Sequence, residues 1–166
     1  MPYVAVVGPG DETDEVLLAT AYAVGSGVAA RGGVVVCGGL GGVMAAACRG
    51  ARAAGGVTLG LLPGTDRSVA NPWVVIAVPT GLGEARNAVV VRTADVLVAV
   101  GGRWGTLSEI ALACRAGTPV VAVHGWRVDD GAGGPRGVTV ATDAANALGI
   151  LDTLLAARGQ PASTRP

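Results

Sequence analysis

The chain has 166 residues, just over half of them apolar, and its 12 basic and 12 acidic residues leave no formal net charge. This length suits one domain with a substantial core, and the charge balance gives no electrostatic reason to expect a nucleic acid or an acidic membrane as partner. Every basic residue is arginine, which excludes chemistry that needs lysine, such as a pyridoxal phosphate Schiff base or a Walker A loop.

Short valine-rich runs alternate with longer alanine-rich segments, as strands alternate with helices in α/β proteins. In chain order, strands are predicted at 3–8, 34–37, 57–62, 73–78, 95–100 and 119–123, with a short edge strand at 138–141. Helices are predicted from the capping residues 11–13 to 31, and then at 42–54, 83–93, 104–116 and 143–158. Glycine and proline crowd the segment 129–137, which is predicted to be a surface excursion, and 159–166 to be a flexible tail.

The predicted strands are apolar throughout, which indicates a sheet covered by helices on both faces. With right-handed crossovers, this pattern predicts a single doubly wound, mostly parallel, Rossmann-like three-layer α/β domain over residues 1–158. Ligands of such sheets bind beyond the carboxyl ends of the strands. That rule directs attention to four turns that follow predicted strands, at 8–10, 38–42, 79–83 and 101–106.

Two of these turns are rich in glycine, and each leads from a strand into a helix. Glycine lets the backbone approach a ligand closely, and a helix start offers unpaired N–H groups with a partial positive charge, so the pattern favours an anion. The candidate phosphate-binding residues are Gly38, Gly39, Gly41 and Gly42 in the first turn and Gly101, Gly102, Gly105 and Thr106 in the second. The alternative is that these glycines only make tight turns against the sheet.

A cation and a carboxylate are predicted to flank the same ligand. Glu109 lies in the first turns of its predicted helix, where the helix dipole favours an ionised carboxylate. Arg86 opens the preceding helix, and both side chains start near the carboxyl edge of the sheet. The alternative is an ordinary surface ion pair or a helix cap.

At these residues the sequence resembles the LOG (Lonely Guy) family of Rossmann-like nucleotide-binding proteins, often labelled lysine decarboxylase-like. The family signature Pro-Gly-Gly-x-Gly-Thr-x-x-Glu falls in register on 101–109, and its preceding Arg-Lys pair falls on Arg86 and Asn87. The segment 38–44 is similar to the family's Gly-Gly-Gly-x-x-Gly-x-Met turn, which ends here at Met44. The resemblance spans about 4–123.

This resemblance implies hydrolysis of the N-glycosidic bond of a nucleoside 5′-monophosphate, such as AMP, to free base and ribose 5-phosphate. Gly102, Gly105 and Thr106 would hold the phosphate, and Glu109 would stabilise oxocarbenium charge at the ribose and orient water, as carboxylates do in other glycosyl hydrolysis. Arg86 would assist the departing base or anchor the nucleotide. Relatives are dimers or tetramers, so a homodimer or homotetramer is expected.

Three departures from the signature point to an outlying branch. Gly101 replaces the signature proline, Arg103 replaces its second glycine, and Asn87 replaces the lysine. Arg103 either grips the phosphate or obstructs the nucleotide. The branch lies near the molybdenum-cofactor carrier proteins, which bind a phosphorylated pterin without processing it. The alternative function is therefore a carrier for a nucleotide or a phosphorylated cofactor such as molybdopterin.

The sequence offers little metal or redox chemistry. One histidine, His124, builds no histidine cluster, and three cysteines in apolar patterns are expected to be buried free thiols in a reducing compartment. No metal site and no resident cofactor are predicted. Because no apolar run reaches the ~18 residues that span a bilayer and no signal-like segment opens the chain, a cytoplasmic protein without membrane contact is expected.

Two further side chains are secondary candidates. Met44 is a candidate for contact with a base, although methionine more often fills a core. Trp104 is interpreted as a packing residue at a helix start, and a base-stacking platform is the less favoured alternative.

Overall fold

Seven strands form one sheet in the computed structural model, which describes residues 1–128 and 137–159. All neighbouring strands are parallel, in the order β4-β3-β2-β1-β5-β6-β7. Valine dominates the strands because its branched side chain packs well on a pleated surface. The strands are β1 (Tyr3–Val7), β2 (Val34–Cys37), β3 (Val57–Leu62), β4 (Ile76–Pro79), β5 (Val96–Val100), β6 (Val120–Val123) and β7 (Val138–Ala141).

Within the described residues, five α-helices cover the two faces of the sheet. They are α1 (Glu15–Ala30), α2 (Gly42–Ala53), α3 (Arg86–Thr93), α4 (Trp104–Ala116) and α5 (Ala144–Gly159). Helices α1, α2 and α5 pack on one face, and α3 and α4 pack on the other. The predicted fold class is therefore confirmed, and the sheet is parallel throughout.

The order of the strands reverses at β1, which pairs with β2 on one side and with β5 on the other. The chain leaves β1 toward β2 through α1, and it leaves β5 toward β6 through α4 on the opposite face. The loops after β1 and β5 therefore diverge, and a crevice opens between them at the carboxyl edge.

The starts of β4 and α1 differ from the predicted ones. At both places a side chain forms hydrogen bonds with backbone groups. Strand β4 begins at Ile76 rather than at 73, because the Thr58 hydroxyl accepts the N–H of Val75 at 2.8 Å and donates to the carbonyl of Trp73 at 2.7 Å. Asp14 caps α1 by accepting the N–H groups of Val16 and Leu17, so the predicted capping residues 11–13 lie before the cap.

Some expectations concern residues beyond those described. The predicted surface excursion lies outside the described residues from 129 to 136, and so does the predicted tail from 160 onward. Within the described parts of the chain, no helix is both long enough and apolar enough to cross a membrane.

Helices α1 and α2 approach each other closely because glycines meet carbonyl groups at their interface. A Cβ on Gly25 would overlap the carbonyl of Ala47, and a Cβ on Gly50 would overlap the carbonyl of Tyr22. This close contact places the start of α2 beside the loop that follows β1, so it helps to shape the crevice.

A matched pair of glycine substitutions tests this packing. Gly25→Ala is expected to lower the free energy of unfolding by about 1–3 kcal/mol, the usual cost of overpacking. Gly149→Ala, on the exposed side of α5 with no heavy atom within 4 Å of the added Cβ, is expected to raise it by about 0.5–1 kcal/mol. Urea denaturation measures the free energy of unfolding of both variants. An equal change in the two variants would contradict the tight packing of α1 against α2.

Candidate functional site

A crevice of about 270 Å³ lies at the point where the strand order reverses. Its walls come from the loop after β1, the start of α2, the start of α3 and the start of α4. The lining residues are Gly8, Pro9, Gly10, Asp11, Leu40, Met44, Arg86, Asn87, Arg103, Gly105, Thr106 and Glu109. Six of the predicted site residues thus share one cavity, namely Met44, Arg86, Arg103, Gly105, Thr106 and Glu109.

Arg86 is the buried cation of the crevice. It begins α3, and its guanidinium lies against the end of β2, where a Cβ on Gly38 would overlap it. Arg86 is only 8% exposed, and its Nε has no hydrogen-bond partner among the described residues. Gly38 therefore serves the site by making room for this side chain. A buried guanidinium with a free donor is a strong attractor for an anion.

Glu109 faces Arg86 from the second turn of α4. Its Oε1 lies 3.8 Å from Nη1 of Arg86, and the residue is 7% exposed. Burial raises the pKa of Glu109 to about 7, and the nearby Arg86 charge only partly opposes this rise. At neutral pH the carboxyl group is therefore partly protonated, and it neutralises Arg86 only in part.

The two helices that follow the glycine-rich turns begin without a side-chain cap from the described residues, in contrast to α1. The first turn of α4 contributes Gly105 and Thr106 to the crevice. A Cβ on Gly105 would meet nothing within 4 Å, so the backbone there is open to a ligand. Uncapped N–H groups at a helix start favour an anion, since they are unpaired and lie at the positive end of the helix dipole.

Several predicted glycines shape the turns without lining the crevice. Gly39 and Gly101 have φ values of +75° and +66°, which side-chain-bearing residues rarely adopt. Their N–H groups are already engaged, with Cys37 Sγ at 3.3 Å and with the Val123 carbonyl at 2.9 Å. These two amides therefore support the turns, and a phosphate would depend on other donors.

The remaining predicted glycines act through the space that they leave. Gly41 and Gly42 bring the start of α2 against the loop after β1, because a Cβ on either residue would run into the carbonyl of Gly10 or Pro9. Gly102 leaves room for the indole of Trp126. At each of these glycines, another part of the chain lies so close that a side chain would overlap it.

Arg103 forms an exposed ion pair with Asp11. Its Nη1 lies 2.7 Å from Oδ2 of Asp11, and the two side chains are 60% and 70% exposed. The pair joins the loops after β1 and β5 across the crevice. The side chain that was expected to grip or obstruct a phosphate is thus engaged at the rim in this structure.

The loop after β1 supplies lining residues that were not predicted from the sequence. Leu40, in the turn after β2, also lines the crevice and was not predicted as a site residue. The turn at 8–10 was singled out as a place for a ligand, but neither its residues nor the adjacent Asp11 were predicted as site residues. Their position became clear only with the strand order, since β1 lies in the middle of the sheet. The glycine and proline of this turn, directly after a buried strand, were the available signal.

Comparison with known proteins identifies the family. The sequence model of the SLOG cluster4 family, LDcluster4, matches residues 1–148. The chain belongs to the SLOG cluster4 family. A protein of Archaeoglobus fulgidus with uncharacterised function is 40% identical over 131 residues, which cover 75% of this chain and 85% of that protein.

Two solved structures resemble this SLOG cluster4 protein over nearly their whole length. The molybdenum cofactor binding protein of Rippkaea orientalis is 34% identical, with a TM-score of 0.83, and the match covers 93% of this chain and 97% of that one. The Moco carrier protein of Chlamydomonas reinhardtii is 38% identical, with a TM-score of 0.82, covering 94% and 98%. The expected place in an outlying LOG-like branch near the molybdenum-cofactor carriers is confirmed.

The cysteines of the SLOG cluster4 protein are free thiols. Cys37 and Cys48 are buried with their sulfur atoms 3.5 Å apart, and Cys114 is partly exposed. Among residues 1–128 and 137–159, no group of three or more His, Cys, Asp or Glu side chains is placed to hold a metal ion.

Burial of Glu109 predicts a pH dependence of stability. Its pKa is about 7 in the folded chain against an ordinary value of 4.5, so the folded state binds the proton more tightly. The resulting stabilisation is complete below pH 4.5 and is lost as the pH rises from 4.5 through 7. Glu109→Gln stays neutral throughout. Its stability relative to the wild type is expected to rise by on the order of 3 kcal/mol across that window.

Urea denaturation at several pH values between 4 and 8 measures this difference. Two stability curves that run parallel over the whole range would show that Glu109 titrates normally in the folded protein.

Proposed function

We propose that this protein binds and carries a small phosphorylated ligand, of the class to which a phosphorylated pterin such as molybdopterin belongs. The phosphate would lie in the crevice between the start of α4 and the guanidinium of Arg86. The observation that carries the proposal is the buried guanidinium of Arg86, which lines the crevice and has Glu109, at 3.8 Å, as its ion-pair partner among the described residues. An incoming phosphate would neutralise the charge of this guanidinium.

The electrostatics of the crevice support an anionic ligand. A buried charge without a full partner costs free energy unless another group neutralises it. Glu109 is partly protonated at neutral pH because burial raises its pKa to about 7, so some of the Arg86 charge remains for a ligand. The uncapped start of α4 adds N–H donors and the positive end of a helix dipole.

The relatives support a carrier role. The two solved structures compared above are a molybdenum cofactor binding protein and a Moco carrier protein. The exposed ion pair between Arg103 and Asp11 also suits a protein that holds a ligand, since it places charged side chains at the entrance of the crevice. The molybdenum centre would be cargo that travels with the bound pterin.

The first test compares two arginines of the same helix. Arg86→Gln is expected to weaken AMP and phosphorylated pterin binding about 10- to 150-fold, the usual loss for a hydrogen bond to a charged group. Arg92→Gln, exposed near the other end of α3, is expected to leave binding unchanged. Calorimetric titration measures both affinities.

Thermal unfolding without ligand checks that both variants fold. Unchanged affinity in a folded Arg86→Gln protein would refute the proposed phosphate site, and an equal loss in both variants would indicate a general charge effect.

A second candidate function is N-glycosidic hydrolysis of a nucleoside 5′-monophosphate. One observation favours it specifically: a carboxyl group with a pKa near 7 lies 3.8 Å from a guanidinium in the same crevice. Such a carboxyl group is suited to proton transfer at neutral pH. In its ionised form it would stabilise positive charge developing at the ribose and orient a water molecule. Arg86 would then hold the nucleotide or assist the departing base.

Chromatography for free base after incubation with a panel of nucleoside monophosphates tests this activity. Hydrolysis predicts base release by the wild type and a loss of at least about 100-fold in Glu109→Gln, as expected for a general acid–base residue. If the ligands bind and no base is released, only the carrier function is supported.

A homodimer or homotetramer remains a proposal. Apolar side chains along β4 and the residues before it are exposed in the single chain, among them Val75, Ile76 and Val78. Burial of such a patch between copies would stabilise an assembly, and light scattering of the purified protein measures its mass in solution.

A further inference from the structure

The turn after β2 is tied to a distant part of the chain by one asparagine. Asn71 is partly buried in the connection between β3 and β4. Its side-chain amide donates to the carbonyl of Leu40 at 2.9 Å and to the carbonyl of Gly39 at 3.3 Å. The backbone N–H of Asn71 also donates to the Gly39 carbonyl, at 2.9 Å. The side-chain oxygen accepts the N–H of Trp73 at 3.2 Å, so both ends of the amide are engaged and the donor end holds the turn.

These hydrogen bonds fix two peptide groups in a turn that glycine makes easy to rearrange. Gly39 and Gly42 have positive φ values of +75° and +55°, and a peptide group next to a glycine rotates at little steric cost. Because a trans peptide group is planar, its carbonyl and its N–H point in opposite directions. The bonds to the carbonyl groups of Gly39 and Leu40 therefore also set the direction of the N–H groups that share these peptide planes, which belong to Leu40 and Gly41.

The N–H groups of Leu40 and Gly41 are available to a ligand, since neither has a hydrogen-bond partner within the described ranges of the chain. Leu40 lines the crevice, whereas Asn71 does not. The side of the turn that lies away from Asn71 is therefore the side toward the crevice. Successive N–H groups in a turn with positive-φ residues form a concave site that favours anions.

The same turn also supports the buried cation of the crevice. The guanidinium of Arg86 packs so closely on Gly38 that a Cβ there would overlap it. A carbonyl group of this turn that rotated toward the crevice would bring a partial negative charge beside Arg86, where it would repel a phosphate. The orientation of the peptide groups at 39–41 thus decides whether the turn attracts or repels an anion.

We propose that Asn71 is a positioning residue of the phosphate site. It holds the carbonyl groups of Gly39 and Leu40 away from the crevice, so that the N–H groups of Leu40 and Gly41 face the phosphate of the ligand. This inference rests on the proposed function, because that function places the phosphate beside Arg86. Asn71 acts through the turn without touching the ligand, and its effect depends on the phosphate rather than on the rest of the ligand.

Two substitutions near the same segment test this role by calorimetric titration. Asn71→Leu keeps the size of the side chain without its donors. It is expected to weaken the binding of AMP and of ribose 5-phosphate about 10- to 150-fold each, the usual loss for a hydrogen bond to a charged group. Thr58→Val is the matched control, because the Thr58 hydroxyl bonds the Trp73 carbonyl and the Val75 N–H instead of the turn. It is expected to lower the midpoint of thermal unfolding and to leave both affinities unchanged.

Nuclear magnetic resonance of the wild type gives a second measurement that does not depend on a variant. AMP is expected to shift the amide proton resonances of Leu40 and Gly41 downfield, because both N–H groups gain a charged acceptor. In Asn71→Leu these two shifts are expected to be lost. A residue that only stabilised the fold would change the unfolding midpoint and leave the two shifts as they are in the wild type.

Each contrary outcome has one meaning. Unchanged AMP affinity in a folded Asn71→Leu protein would overturn the positioning role and leave the Arg86 site intact, and so would the absence of both downfield shifts when AMP binds to the wild type. An equal loss of affinity in Asn71→Leu and Thr58→Val would show that Asn71 only stabilises the segment before β4, which also overturns the role. No binding of either ligand by the wild type would refute the proposed function, and the role of Asn71 with it.

Discussion

The position of β1 in the middle of the sheet is the constraint on which the site depends. Its neighbours β2 and β5 belong to halves of the sheet that the chain builds in opposite directions. Successive right-handed crossovers must then place α1 and α4 on opposite faces. The loops after β1 and β5 separate, and the start of α4 meets the loop after β1 across the gap. A crevice at this edge follows from connectivity before any particular side chain is considered.

Within that gap, the charges of the Arg86 and Glu109 side chains do not cancel. Burial disfavours the charged form of the carboxyl group strongly enough to raise its pKa to about 7, even beside a guanidinium. Because the carboxyl group is only partly ionised, the pair carries more positive than negative charge near neutrality. The same imbalance serves a carrier that must hold a phosphate and an enzyme that needs a carboxyl group poised to exchange a proton.

The structure shows where two of the residues that depart from the LOG signature lie. Arg103, in place of a glycine, reaches across the mouth to Asp11, and Asn87, in place of a lysine, lines the wall beside Arg86. The first adds a bridge at the entrance, and the second removes a positive charge from the interior. Both changes leave the glycine turns and the start of α4 in place.

The sequence by itself determined the fold class, the alternation of elements and the choice of Arg86, Glu109 and the two glycine-rich turns. These features are local, since β-branched runs, alanine-rich helices and positive-φ glycines are set by near neighbours in the chain. Only the tertiary structure decided which loops meet. It brought Asp11 to Arg103, 92 residues away, engaged the amides of Gly39 and Gly101 within the turns, and left Trp104 exposed rather than in the core. Such contacts depend on strand order and on the packing of distant segments, which no local pattern encodes.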